Sequence, residues 1–426
     1  MGLGAAVLIT LSRYLGPENF GILAFAVALV KILSVAATLG LDRIFIANAV
    51  KEPNNVPLQF KQLLRLRAVA AVAAYIALLA ILMVLRPQDK LTLFACLIVG
   101  IALFFQPFDI FDLILQSRGQ MRLTVFGKTS AFSLAAASKL VAAFVGAPLL
   151  VFAGIDALEP AIAAVTLYFL SKPHSKKDEP PSDTSGSAAL LRQGIPQMIA
   201  SFATILYIRI DQVMLGTMAD AKAVGIYTAA TQLSEVWLII PMAVSTGLFP
   251  TMIALRHRNE GAFRLCLRGL SQVGAIVAYI IIIVITFLGP WLISLVYGPA
   301  FAEANGVLRI HIWSMIFVYL GVLQSVWEIT ERTLWISAVR STCGAAINIA
   351  LNVYLIPRYG AVGAAVATLI SYILISTPSL ILTLKTRPLF FVQLESLTLL
   401  FLIRCFFGTQ WGRLRDAVSN AYRTAN

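Results

Sequence analysis

Apolar runs long enough to cross a lipid bilayer recur along this chain, and that pattern leaves lipid as the solvent for most of it. They fall at 2–14, 18–47, 63–85, 90–116, 121–147 and 150–171, then at 189–216, 222–252, 265–297, 303–329, 331–357 and 360–385. Hydrophobic residues make up 59% of the 426 positions and charged ones 12%, against roughly 45–50% and 25% in soluble domains. A soluble fold of this length has no interior large enough for so much apolar surface. Inside hydrocarbon every backbone N–H and C=O must be satisfied within its own segment, so the runs are helices. The chain therefore reads as all-α and polytopic, with about twelve transmembrane helices.

One polar stretch divides the set. SKPHSKKDEPPSDTSGS, residues 171–187, has the prolines, serines and mixed charge of a linker. The expected organisation is a six-helix lobe over 1–171, a cytoplasmic linker over 172–188, a second six-helix lobe over 189–385 and a tail over 386–426. Only about a dozen apolar residues precede Arg13, and at ~1.5 Å per residue they cover less than ~20 Å of a ~30 Å core. The first helix is thus expected to be truncated. A further apolar stretch at 388–407 carries Glu395 and Arg404 and reads as interfacial. Phe20-Gly21-Ile22-Leu23-Ala24-Phe25-Ala26 and Val224-Gly225-Ile226-Tyr227-Thr228-Ala229-Ala230 open the second and eighth spans alike. Such repeats are common in transporters.

The net charge of +13 would suggest a nucleic-acid partner in a soluble protein, but its distribution points to topology. With the N-terminus in the cytoplasm, twenty Lys and Arg fall on the cytoplasmic side, among them Arg43, Arg67, Arg118, Lys128, Arg256, Arg268, Arg340 and Arg387. Six fall opposite: Arg13, Arg86, Lys90, Lys222, Arg309 and Arg358. By the positive-inside rule both termini are cytoplasmic, and no nucleic-acid partner is expected. The four cysteines lack any CxxC or Cys/His ligand spacing, so no metal is expected. His311 opens an apolar helix and reads as a hydrogen-bonded structural histidine. Phosphate-binding glycine loops and nucleophile elbows are absent from the sequence, so no cofactor and no catalytic residue is expected, and the chain reads as a non-enzyme.

Several segments are familiar in order and spacing. Arg13–Gly21 (RYLGPENFG) and Thr38–Asp42 (TLGLD) come first. Arg209–Gly216 (RIDQVMLG), Val224–Tyr227 (VGIY) and Leu248-Phe249-Pro250 follow. Tyr297-Gly298 with Ala304 to Leu308, and Asn352–Gly363 (NVYLIPRYGAVG), complete the series. Together they resemble the polysaccharide-transporter flippases, the Wzx-like branch of the MOP superfamily, over about residues 13 to 385. That resemblance implies a two-lobed, MATE-like bundle of twelve to fourteen helices around a central cavity. The implied activity is flipping of undecaprenyl-diphosphate-linked oligosaccharide across the bacterial inner membrane by alternating access, for O-antigen, exopolysaccharide or capsule synthesis. Membrane lipids, a polysaccharide polymerase and chain-length proteins are the implied partners. The short first helix and short tail depart from the pattern. A MATE-type drug or metabolite antiporter on the same fold is the nearest alternative. A polymerase or ligase would carry a large outward loop, and no outward connector here exceeds about a dozen residues.

A diphosphate crossing hydrocarbon needs fixed cations in a wet cavity, and arginine can grip phosphate oxygens with two parallel donors. The candidate substrate-binding cations are Lys31, Lys139 and Arg209 within spans and Arg13 and Arg43 at span ends. Asp109 and Asp112, three apart, share a helix face after Pro107, where they could neutralise Lys139 or Lys128. Arg209 and Asp211 point about 200° apart on a helix, so only one can face a cavity. Asp211, Glu235, Asp109 and Asp112 are the candidates for coupling or gating, since buried carboxylates bind protons readily. Glu328 reads as an ordinary polar contact. Pro107, Pro196, Pro241 and Pro290 interrupt helices and are candidate hinges, while Gly360 and Gly363 permit close packing.

Overall fold

The computed structural model describes residues 2–85, 89–171, 187–331 and 334–399, and those residues are helical without a single strand. They gather into two compact units, Met1–Gly225 and Ile226–Asn426.

The first unit begins with α1 (Gly2–Ala37), whose run is broken at Gly16, φ 69° and ψ 172°. Glycine takes that conformation without a steric penalty, and Pro17 cannot donate back into the preceding turn. The break falls between the first two predicted spans. A turn at Leu39 and Gly40, both at positive φ, leads into α2 (Asp42–Lys51) and α3 (Val56–Leu85). The helix α4 (Lys90–Gly100) is capped by Asp89, which accepts from the Thr92 amide at 3.1 Å. It then tightens into 3₁₀ turns at Ile101–Phe104 and Gln106–Asp109, around Pro107, before α5 (Ile110–Ser117). The remaining helices are α6 (Met121–Val145), α7 (Leu149–Leu170) and α8 (Ser187–Met218), followed by the start of α9 (Ala221–Glu235).

Although α8 lies beyond the polar 172–188 segment, it packs along α1. Glycines make that approach possible: Gly216 sits against the Phe25 ring, and Gly21 and Gly225 face each other backbone to backbone. The two copies of the short sequence repeat therefore meet at their glycines.

The second unit continues α9 through a 3₁₀ turn, Val236–Leu238, into α10 (Ile239–Arg258). Asn259 caps α11 (Glu260–Val296), accepting from the Ala262 amide at 3.0 Å. Next come α12 (Ala304–His311) and α13 (Ser314–Thr330), joined at a 40° bend, then α14 (Leu334–Ile375), broken at Gly360 (φ 53°, ψ −132°) after Pro357. A 3₁₀ turn, Pro378–Leu382, precedes α15 (Arg387–Leu397). His311 is buried as expected of a structural histidine; its Nδ1 lies 2.7 Å from Ser234 Oγ, and its ring meets Tyr227 edge-on.

The apolar surface faces outward. Phe144, Phe287 and Val84 are 94%, 80% and 79% exposed, which is tolerable only against hydrocarbon. This is a multi-pass membrane protein. Among the described residues eight helical runs are long and apolar enough to cross a membrane, nine if the bent α12–α13 pair is one span. The expected twelve is not reached by that measure. The breaks at Gly16 and Gly360 lie inside continuous runs, and α6, which carries Arg122, Lys128 and Lys139, is not among the eight.

On α15 the polar Gln393 and Ser396 turn inward and are buried, while Phe391 and Leu394 point out at 66% and 42% exposure. That polarity is the reverse of a soluble amphipathic helix. Glu395 pairs with Arg268, and the Leu397 carbonyl accepts from Tyr279 Oη at 2.7 Å, so α15 is a packed member of the bundle. Residues 400–407 lie outside the described residues.

Candidate functional site

The helices of the first unit line a half-open cavity of about 310 Å³ whose wall mixes apolar and charged side chains. Its walls come from α1 (Val27, Val30, Lys31, Ser34), from the α4 end and its 3₁₀ turns (Val99, Ala102, Leu103, Gln106, Asp109), and from α7 (Asp156, Glu159, Pro160). The departure from α-helical geometry around Pro107 is what turns Gln106 and Asp109 into this space. Gln106 Nε2 donates to the Ser34 carbonyl at 2.6 Å, tying the turn to α1, while its Oε1 is buried without a partner among the described residues. On α7, Asp156 and Glu159 are three apart and share a face.

Lys139, on α6, reaches Asp156 with Nζ 2.5 Å from Oδ1, both side chains largely buried at 14% and 16% exposure. Glu159 lies within electrostatic reach of Lys139, Asp156 and Lys31. Asp109 is likewise within reach of Lys128, Arg67, Asp112 and Asp42. Asp112 is buried on α5, its Oδ2 held by Lys128 Nζ at 2.5 Å and by Gln116 Nε2 at 3.0 Å. Arg67, 1% exposed, is among the bulkiest fully buried side chains of the described residues and pairs through Nη2 with Asp42 Oδ1. These groups form one charged array through the unit: Lys31, Lys139, Lys128 and Arg67 against Asp109, Asp156, Glu159, Asp112 and Asp42.

Of the residues singled out in the sequence, Lys31 and Asp109 line the cavity and Lys139 reaches it through Asp156. Asp112 serves Lys128 instead, so the two aspartates of one face have different neighbours. Arg13 and Arg43 are exposed on α1 and α2 and do not line it. Arg209, on α8, is half-buried, and its Nε has no partner among the described residues. Asp211 is buried two residues on, at 2% exposure. Glu235 ends α9 in the second unit, half-buried. Glu328 is buried against Arg340. Asp156 and Glu159 were missed by reading the sequence, although carboxylates inside an apolar span are the signal that marked Asp109. Among the described residues no three His, Cys, Asp or Glu converge to hold a metal ion.

The Lys139–Asp156 pair yields a prediction. Lys139→Ala leaves Asp156 uncompensated in low dielectric, so a lower thermal midpoint in detergent is expected, with Lys139→Met/Asp156→Leu recovering most of it. A double variant no better than the single one would show the two groups to be energetically independent.

A family profile described as "Polysaccharide biosynthesis protein" matches residues 1–255. Two curated relatives come from Haloferax volcanii. "Probable flippase AglR" is 31% identical over 175 residues, 39% of this chain and 35% of the relative. "Probable low-salt glycan biosynthesis flippase Agl15" is 24% identical over 249 residues, 53% of this chain and 49% of the relative. The chain thus spans between about a third and a half of the length of these relatives. Among solved structures, "Lipid II flippase MurJ, inward closed conformation" superposes with a TM-score of 0.71 at 13% identity, over 99% of this chain and 95% of that one. A multidrug-resistance MATE family transporter in its inward-facing conformation gives 0.65 at 14% identity, over 100% and 96%. At such identities the likeness speaks to fold alone. With 255 of 426 residues matching the profile, this protein belongs to the family described as "Polysaccharide biosynthesis protein", on a fold shared with MurJ and a MATE transporter over nearly its whole length.

Proposed function

We propose that this protein is a flippase that carries a lipid-linked oligosaccharide, on an undecaprenyl diphosphate carrier, across the cytoplasmic membrane for surface-polysaccharide synthesis. The observation that carries this reading is a fold shared end to end with a lipid II flippase, in a chain whose curated relatives are named as glycan flippases. The distribution of Lys and Arg supports a topology with both termini in the cytoplasm. Lys31, Arg13, Arg43 and Arg209 are the cations we assign to the diphosphate. Lys139 is committed to Asp156.

The cavity of the first unit is too small for an oligosaccharide and carries more carboxylates than cations. At the cavity wall Asp109, Asp156 and Glu159 face Lys31 and Lys139, an excess of negative charge. A proton would balance that excess, and its uptake and release at Glu159 or Asp109 would couple transport to a proton gradient.

The first test is expression in a strain lacking its own glycan flippase: surface polysaccharide is expected to return, and no rescue by a well-expressed protein would overturn the flippase assignment. In proteoliposomes, Glu159→Gln is expected to lose most of the rate that a pH gradient adds while keeping exchange without a gradient. Unchanged gradient dependence in both Glu159→Gln and Asp109→Asn would remove the cavity from coupling. The acid-rich cavity also suits a cationic drug, so efflux of organic cations without rescue of polysaccharide would establish the antiporter reading instead.

A further inference from the structure

The second unit holds a cavity that no part of the proposed transport uses. It is a groove of about 380 Å³ lined by Gly261, Arg264, Leu265, Leu267 and Arg268 of α11, Trp327 of α13 and Pro388, Leu389 and Val392 of α15. Its floor is the apolar cluster of Leu267, Trp327 and Leu389, all at least nine-tenths buried. Arg264 and Arg268, four apart, stand one turn from each other on the same face of α11. Each is held by one carboxylate, Glu260 for Arg264 at 2.6 Å and Glu395 for Arg268.

Three observations point to an occupant. Six cations gather at this end (Arg256, Arg258, Arg264, Arg268, Lys385 and Arg387) against Glu260, Glu331 and Glu395, which leaves a positive excess. The Trp327 indole N–H is buried without a partner among the described residues, although a buried tryptophan ordinarily finds an acceptor. Finally, α15 turns Phe391 outward beside the groove, so hydrocarbon lies alongside it.

We infer that this groove is a binding site for an anionic phospholipid of the surrounding bilayer, its phosphate between Arg264 and Arg268 and an acyl chain against Leu265, Leu389 and Val392. Basic pockets between transmembrane helices on the cytoplasmic side suit such headgroups, and the positive-inside rule puts the start of α11 on that side. The chain's own residues 400–426 are a poorer occupant. They carry Arg404, Arg413, Arg415 and Arg423 against Asp416 alone, and would meet the arginine rim with like charge.

Native mass spectrometry of the full chain, released from micelles containing phosphatidylglycerol or phosphatidylcholine, tests the site. Retention of phosphatidylglycerol is expected to exceed that of phosphatidylcholine by about thirtyfold, the order expected of two arginines at a membrane surface. Arg264→Gln should reduce the preference, and Val392→Trp, which fills the groove without touching a charge, should do the same. Arg309→Gln, away from the groove, should leave it unchanged. Thermal midpoints identify any variant that fails to fold, and Val392→Trp keeps the test open should arginine variants do so. Equal retention of the two lipids, or a preference untouched by Val392→Trp, would overturn the site. So would phosphatidylglycerol binding that emerges only after residues 400–426 are removed. Retention of undecaprenyl diphosphate in place of phosphatidylglycerol would make the groove a substrate site and overturn it equally.

Discussion

Gly21→Ala and Gly225→Ala are each expected to leave little folded, transport-competent protein, the largest effect anticipated from any single methyl group in this molecule. A Cβ on Gly21 would stand 1.7 Å from the Ala221 carbonyl oxygen and 2.7 Å from the Gly225 amide nitrogen. One on Gly225 would stand 1.9 Å from the Pro17 carbonyl oxygen. These obstacles are backbone atoms, so no rotamer change relieves them, and α1 must separate from the start of α9. Overpacking a core typically costs about 1–3 kcal/mol where side chains can adjust, and a rigid backbone clash belongs above that range. Gly216→Ala meets only the Phe25 ring, at 2.3 Å, and should be milder. Gly154→Ala and Gly321→Ala, with nothing within 4 Å, are controls expected to hold or raise stability through better helix propensity. Size-exclusion profiles and thermal midpoints in detergent read the series. A native midpoint for Gly21→Ala would mean that these helices stand further apart than described.

The second large effect is expected at Arg340. Glu328, 2% exposed, accepts from Arg340 and from Gln324 Nε2 at 2.7 Å. Gln393 of α15 donates to Gln324 Oε1 at 3.3 Å and accepts from Thr377 Oγ1 at 3.0 Å. A single polar chain thereby links α13, α14, the segment after α14 and α15. Removing one member of a buried pair strands its partner's charge and costs about 3–5 kcal/mol, whereas replacing both with apolar residues of similar size is often neutral. Arg340→Ala should therefore unfold at a markedly lower temperature, with Glu328→Gln/Arg340→Met recovering most of the loss. A double-mutant cycle with no coupling energy would break the link between the two groups.

The spans were readable from hydropathy because lipid imposes a single answer on a long apolar run. The breaks were readable where glycine meets proline, as at Gly16-Pro17. The same holds at Pro357 and Gly360, where the structure breaks α14 between the two spans read from the sequence. Lys139 was recognisable as an intramembrane cation, but its partner was not. Asp109 stood at a plausible distance along the chain, yet it lies on the cavity wall at the 3₁₀ turns around Pro107 with Lys128 and Arg67 as its cationic neighbours, and α7 delivers Asp156 to Lys139 instead. That choice depends on helix rotation, which periodicity leaves open when almost every face is apolar. For the same reason the partners of α15 were not legible. Glu395 and Gln393 look like exposed polar groups until Arg268 and Gln324 are found waiting for them.

The pairing of Gly21 with Gly225 bears on how the chain is made. The first helix leaves the ribosome long before its closest partner exists, because about two hundred residues separate them. At ~5–20 residues per second, α1 waits on the order of 10–40 s before residue 225 is available. During that interval it must rest in the membrane against other company, with its glycine seam uncovered. Completion of the first unit is thus a late event of synthesis, gated by arrival of a segment beyond the polar linker. Stalled chains ending before α8 should be held by membrane chaperones or degraded, and chains extending past α9 released.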